Sequence, residues 1–182
     1  MKFVVLFGPK HSGKTAVGRE LALLCSYGFC DLDGYIAERC GKSVRTLYTQ
    51  GTEIFRKEET AALSDLLEPE MPHLQAPLVI ASGGGIIDNP DVLALLKKKQ
   101  SVVTVYLDVS VQTAWERISR AGDLPPFLAG DNPRETHRLL HERRADAYRQ
   151  YALFTVKAED KNPAEIAREI TELLSHRSSI GP

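Results

Sequence analysis

Gly8-Pro9-Lys10-His11-Ser12-Gly13-Lys14-Thr15 sets two glycines, a lysine and a hydroxyl at the spacing G-x-x-x-x-G-K-[ST]. Backbone N–H groups in such a loop point inward and surround phosphate oxygens. Lys14 can then reach β- and γ-phosphates, and the Thr15 hydroxyl can ligate Mg²⁺. The expected phosphate-side contacts are Gly8, Ser12, Gly13, Lys14, Thr15 and Ala16. The helix N-terminus behind the loop adds the positive end of its dipole. A glycine-rich turn alone would bind nothing. Here the apolar run Phe3-Val4-Val5-Leu6-Phe7 precedes the loop and a helical pattern follows it, which is the context the chemistry needs. His11 must tolerate the loop's backbone angles, and φ > 0 is uncommon for a residue with a side chain.

Two carboxylates stand two apart in Cys30-Asp31-Leu32-Asp33-Gly34. In an extended segment they would turn the same way. One could hold Mg²⁺ and the other accept a hydroxyl proton during phosphoryl transfer. The plainer alternative is a pair of N-terminal caps on the next helix. Gly83-Gly84-Gly85 follows another apolar run. One glycine would satisfy a turn, whereas three leave room for a ligand to touch backbone directly. Arg56, Arg143 and Arg144 lie in helical stretches and by default face solvent. An arginine fork nevertheless suits a carboxylate, because it can bond both oxygens. His137 and His141 are four apart beside Arg138 and Glu142, without an H-E-x-x-H pattern, so a solvated helix face is expected. Trp115 shares helical spacing with Val111 and Ile118 and is expected in the core.

These groups need a scaffold. Strand-like runs at 2–7, about 28–31, 77–82, 101–107 and about 153–157 alternate with helical patterns. The latter lie near 14–26, 34–50, 52–68, 90–99, 110–120, 133–150 and 163–175. The alternation predicts an α/β fold, a parallel sheet with helices on both faces. In open sheets of this kind ligands bind beyond the carboxyl ends of the strands. The phosphate loop, Asp31, Asp33, the glycine run and Asp108 should therefore share one rim. The segment 121–133 is rich in Gly, Pro and Asp, as lids and binding loops often are. A mobile connector is the plainer reading.

The chain has 182 residues, 43% hydrophobic and 26% charged, enough for one domain with a real core. A net charge of −1 argues against bulk electrostatic attraction to nucleic acid or to a membrane surface. Three cysteines without metal spacing suit free thiols in a reducing compartment. No leader pattern and no apolar run near 18 residues is present, so the expected location is cytoplasmic.

Taken together these residues resemble the shikimate kinases, of the nucleoside-monophosphate-kinase-like phosphate-loop fold. The likeness spans nearly the whole chain. Its marks are the loop at 8–15, Asp31-Leu32-Asp33, Gly41-Lys42-Ser43-Val44, and Gly51 through Phe55-Arg56 with Glu59. Gly83-Gly84-Gly85, Arg144 with Tyr148, and Lys161-Asn162-Pro163 complete them. The resemblance implies a three-layer α/β/α sandwich with five parallel strands in the order 2-3-1-4-5. It implies one domain over 1–182, with a lid at about 121–133 and a substrate-binding subregion at about 32–60. ATP and Mg²⁺ would serve a transfer to the 3-hydroxyl of shikimate by a monomer. Arg56 and Arg144 would hold the shikimate carboxylate, and Asp33 with Gly83, Gly84 and Gly85 would meet its hydroxyls. Asp33 would be the base, with Thr15 and Asp31 around the metal. Arg117, or Arg120, with Lys161 and Pro163 would border adenine. Two departures stand out: Pro125 falls where the family carries a lid arginine, and Asp146 where it carries proline. Arg120 or Arg134 could supply the missing charge. Otherwise transfer is slow or absent, or the substrate is that of a related small-molecule kinase.

Overall fold

The computed structural model describes residues 3–68, 77–121, 128 and 130–179. Strand β1, Phe3–Phe7, is buried at every residue. Its side chains alternate between two cores, as a pleated strand requires. Phe3, Val5 and Phe7 enter one core, and Val4 and Leu6 enter the other. Both faces are therefore covered, which explains a continuous apolar run instead of a polar alternation. Each such side chain, Leu6 for instance, contributes roughly 2 kcal/mol through burial.

The remaining strands are β2 (Gly28–Asp31), β3 (Leu78–Ala81), β4 (Val102–Asp108) and β5 (Phe154–Lys157). All pair in parallel in the order β2-β3-β1-β4-β5, with Phe3 opposite Leu78 on one side and Val102 on the other. Parallel pairing demands crossovers. The helices that supply them are α1 (Lys14–Cys25), α2 (Leu32–Cys40), α3 (Val44–Gln50), α4 (Thr52–Leu66), α5 (Pro90–Lys98), α6 (Val111–Ala121) and α7 (Pro133–Tyr151), and α8 (Pro163–Ser179) follows the last strand. Leu32 and Ile36 of α2, Leu63 of α4, Leu93 of α5 and Tyr148 of α7 cover the first face. Leu21 of α1, Ala114 of α6 and Ile166 and Ile170 of α8 cover the second. The three layers and the strand order agree with expectation. Among the described residues no helix is long and apolar enough to cross a membrane.

Three expectations fail for identifiable reasons. The helix expected over 34–50 is two helices. Gly41 takes φ 62 and closes α2, and Ser43 accepts a hydrogen bond from Thr46 N to open α3. His137 and His141 do not face solvent; they are 4% and 7% exposed. Trp115 is half-buried but belongs to neither core, with its ring 5.6 Å from that of His137. Helix α7 thus turns His137 toward Trp115 of α6, and His141 toward His137 and the Asp108–Val109 segment at the end of β4. Of the segment 121–133, Asn132 caps α7 and Pro133 occupies its first turn. Pro125 lies outside the described residues.

Candidate active site

The phosphate loop spans the end of β1 and the start of α1. Gly8 has φ 148, and a Cβ there would stand 2.6 Å from Ser12 Oγ and 3.0 Å from the Leu107 carbonyl. Gly13 has φ 96 and His11 φ 62, so the imidazole does sit on a left-handed backbone. Lys14 Nζ donates to the carbonyls of Gly8 at 2.9 Å and Pro9 at 2.8 Å. Burial pushes its ammonium down to about 8, against the opposing pull of Asp33 and Asp31. Ala16 lies exposed in the first turn of α1.

Asp31 ends β2 and does two jobs. Its Oδ1 accepts from Gly34 N at 3.2 Å, capping α2, and its Oδ2 accepts from Thr15 Oγ1 at 2.9 Å. Of the two acids it is Asp31 that caps α2, and the same side chain reaches Thr15 of the loop. Asp33 follows in the first turn of α2. Its Oδ1 is buried without a hydrogen-bond partner. Burial and then the charge of Asp31 push its carboxyl up, while Lys14 and Lys10 pull it down.

Gly83, Gly84 and Gly85 follow β3, and none of them has a positive φ. A turn does form, with Ile86 N donating to the Gly83 carbonyl at 3.3 Å, but it needs no positive φ and so does not by itself call for three glycines. What they permit is close approach, each to a different neighbour. A Cβ on Gly83 would stand 2.8 Å from Asp33 Oδ1, and one on Gly84 would stand 2.9 Å from Lys10 N. One on Gly85 would stand 3.2 Å from Tyr48 Oη and 3.5 Å from Arg144 Nη2. Tyr148 Oη donates to the Gly84 carbonyl at 2.5 Å and fixes the run from behind.

Arg144 reaches this run from α7. Its Nε and Nη2 donate to Asp88 Oδ2 at 2.9 and 2.6 Å, and Arg143 Nη2 donates to both Asp88 oxygens at 3.0 Å. Arg56 lies on α4, one-third exposed, with Nη1 3.2 Å from Glu53 Oε1. One turn further on, Glu59 is 1% exposed and accepts from Asn89 Nδ2 at 2.9 Å. Burial pushes Glu59 up to about 7, against Asn89 and Arg56. Asp33 and Asp88 also act on Glu59, and Glu59, Arg144, Asp33 and Asp88 all act on the Tyr48 hydroxyl. These side chains form one electrostatic neighbourhood around the glycine run.

On the other side of the loop, Arg117 Nη1 donates to the His11 carbonyl at 3.2 Å and Nη2 to the Ala158 carbonyl at 3.4 Å. Arg117 thereby ties the loop to the segment after β5. Lys161 is exposed and bonded to Glu169 on α8 at 2.6 Å, and Pro163 opens that helix. Arg120 pairs with Glu116 at 3.7 Å and Arg134 with Gln112 at 3.0 Å. Nothing in the sequence singles out Lys10, Tyr48 or Asp88, and Glu59 stands out only as part of the Gly51–Glu59 pattern. Asp88-Asn89-Pro90 carries a visible helix-start signal, but nothing local announces that Asp88 faces α7.

With this geometry in place, relatives can be compared. A shikimate kinase family model matches residues 10–175. A shikimate kinase of Vibrio parahaemolyticus serotype O3:K6 is 33% identical over 175 residues, covering 96% of each chain. That of Aromatoleum aromaticum is 34% identical over 174 residues, covering 95% of this chain and 94% of its own. The solved structure of shikimate kinase from Acinetobacter baumannii in complex with shikimate superposes with a TM-score of 0.85. It is 30% identical and covers 97% of this chain and 94% of its own. A gluconokinase from Sinorhizobium meliloti reaches a TM-score of 0.65 at 19% identity over 98% of this chain and 97% of its own, a likeness of fold alone. Full-length similarity and a rim on which acids, arginines and bare backbone meet one phosphate loop lead to the same place: the chain belongs to the shikimate kinase family.

Proposed function

We propose that the protein transfers the γ-phosphate of ATP to the 3-hydroxyl of shikimate. The observation that carries this is the glycine run, which packs one residue against Asp33, one against the phosphate loop and one against Arg144. An acceptor lying on that backbone would have a base, a phosphoryl donor and a carboxylate-binding cation on three sides.

Asp33 takes the hydroxyl proton as the new O–P bond forms and the bond from the γ-phosphorus to the bridging oxygen breaks. The electron pair leaves with ADP. A carboxyl raised by burial is suited to accept that proton near neutral pH. Lys14, with Gly8, Ser12, Gly13, Thr15 and Ala16, holds the triphosphate. Arg117, Lys161 and Pro163 border the adenine. Arg144 and Arg56 hold the acceptor carboxylate, and residues 32–60 form the acceptor side of one domain spanning 1–182. The lid expected at about 121–133 lies for the most part outside the described residues.

Among the described residues no three His, Cys, Asp or Glu side chains gather as a metal cluster. A Thr15 hydroxyl and an Asp31 carboxylate 2.9 Å apart at the loop mouth are nonetheless hard oxygen donors of the kind Mg²⁺ takes beside substrate phosphates and water. Bound there, Mg²⁺ neutralises phosphate charge. The site is built for positioning and electrostatic stabilisation, which is how phosphoryl transfer is mostly catalysed.

A coupled ADP-release assay with shikimate, against gluconate and a Lys14→Ala control, tests the reading. Turnover with shikimate above the control supports it, and none above the control rejects it. Asp33→Asn should lower kcat far more than ATP affinity; equal losses would remove Asp33 from the role of base.

A further inference from the structure

Lys10 is an exposed residue of the phosphate loop, lying on the side that meets the glycine run. A Cβ on Gly84 would stand 2.9 Å from Lys10 N and 3.5 Å from Lys10 Cα, while its neighbour Gly83 is packed as closely on Asp33. Lys10 and Asp33 therefore flank consecutive residues of one bare ribbon. Lys10 also acts electrostatically on Asp33, favouring its charged form. Among the described residues the Lys10 ammonium has no ion pair and no hydrogen bond.

Of the other cations, Lys14 is already assigned to the triphosphate, and the nearby arginines have protein partners. Lys14 is held inside the loop by the Gly8 and Pro9 carbonyls. Arg117 bonds the His11 and Ala158 carbonyls. Arg120 and Arg134 are engaged by Glu116 and Gln112 on α6. A phosphoryl group passing between donor and acceptor spreads charge over its equatorial oxygens, and fixed cations stabilise that charge.

We propose that Lys10 is a further catalytic residue, its ammonium pairing with the transferring phosphoryl group between the phosphate loop and Asp33. The proposal rests on the transfer reading above. Lys10 stays protonated throughout; the acceptor proton goes to Asp33 and the electron pair leaves with ADP. An ammonium suits the place because it is a compact point charge with three donors on a flexible stem.

The test compares wild type, Lys10→Met and Lys10→Arg with ATP, Mg²⁺ and shikimate across pH, with melting temperatures as a check on folding. Lys10→Met should lower the plateau kcat by about 30-fold or more, the scale of a lost transition-state donor, with both KM values changing less than about threefold. Lys10→Arg should restore most of the rate. A plateau kcat unchanged in Lys10→Met, with only the acidic limb of the profile moved, overturns the proposal and leaves Lys10 as a tuner of Asp33. Should wild type fail to phosphorylate shikimate, the transfer reading itself fails. The ATP and ADP affinities of wild type and Lys10→Met, measured by calorimetry, then decide on Lys10. Loss of the preference for ATP over ADP supports the phosphoryl contact, and an unchanged preference overturns it.

Discussion

Asp88 Oδ2 accepts two hydrogen bonds from Arg144, from Nε at 2.9 Å and from Nη2 at 2.6 Å. The contact joins the short 3-10 turn Ile86–Asp88 to α7 and holds the guanidinium by one edge. The Arg144 side chain is 17% exposed, so the pairing is worth more than that of a solvated surface pair. Asp88 thus orients the cation assigned to the acceptor carboxylate. Asp88→Ala should raise the KM for shikimate about tenfold, in line with a charge-assisted hydrogen bond. Its KM for ATP should stay as in wild type. Steady-state kinetics with each substrate varied check this, and an unchanged shikimate KM would show that Arg144 is held by other means.

Gly84→Ala and Gly85→Ala separate the two sides of the site. The new Cβ at 84 would meet Lys10 N at 2.9 Å and the Pro9 carbonyl carbon at 3.4 Å, both backbone, so the phosphate loop itself must shift. The new Cβ at 85 would meet only the ends of Tyr48 and Arg144, which can swing. Gly84→Ala should therefore weaken ATP binding about tenfold or more, a strain cost of the usual 1–3 kcal/mol for overpacking. Gly85→Ala should leave ATP binding intact and raise the shikimate KM. Calorimetric titration with ATP distinguishes them; equal ATP affinities in the two variants would contradict the division.

Much of this arrangement is legible in sequence because its signals are local. The loop at 8–15 carries its own mechanism, and β1 through β5 announce themselves as short apolar runs. A helix cap is legible at Asp31-Leu32-Asp33, because such residues open helices, but which of the two acids caps α2 is not. What the sequence cannot state is which side chain each glycine of 83–85 approaches. That depends on how β3, α3 and α7 converge, so Lys10, Tyr48 and Asp88 emerge only in three dimensions. The misplacement of His137 and His141 has the same origin. Helix α7 is rich in charge, and its local pattern shows no apolar stripe at that end. The packing of α6 against α7 overrides that local polarity.

Glu59 gives the protein a measurable pH dependence. Its folded pKa of about 7 stands above the ordinary 4.5, chiefly because it is buried. Between these values the folded chain holds more protons than the unfolded chain, so stability falls as pH rises and levels off above about 7. The shift corresponds to a loss on the order of 3 kcal/mol. Glu59→Gln keeps an acceptor for Asn89 Nδ2 and has no charge to bury. The variant's stability relative to wild type should increase from about pH 5 to about pH 8. Denaturant unfolding across that range checks it, and parallel curves would show that Glu59 is not titrating there.

His137 and His141 should act in the opposite direction. Their rings lie 5.6 Å apart, His137 against Trp115, and the Nδ1 of each is buried without a partner. Burial holds both imidazoles below the usual 6.5. At His141 the Val109 backbone, Asp108 and Glu142 oppose that shift and Arg149 adds to it. As pH falls through 6.5 the unfolded chain takes up protons first, so the stability these neutral rings contribute above that pH is lost on the acid side. His137→Phe keeps an aromatic ring against Trp115 and removes one proton site. Its unfolding midpoint should drop less than that of wild type between about pH 7 and about pH 5.5. Since Glu59 stabilises the folded chain over the same interval as pH falls, the comparison is cleanest in the Glu59→Gln background. There wild-type histidines should give a fall in stability toward acid that His137→Phe reduces. An identical acid-side slope in the two chains would mean that the α6–α7 contact tolerates a charged imidazole.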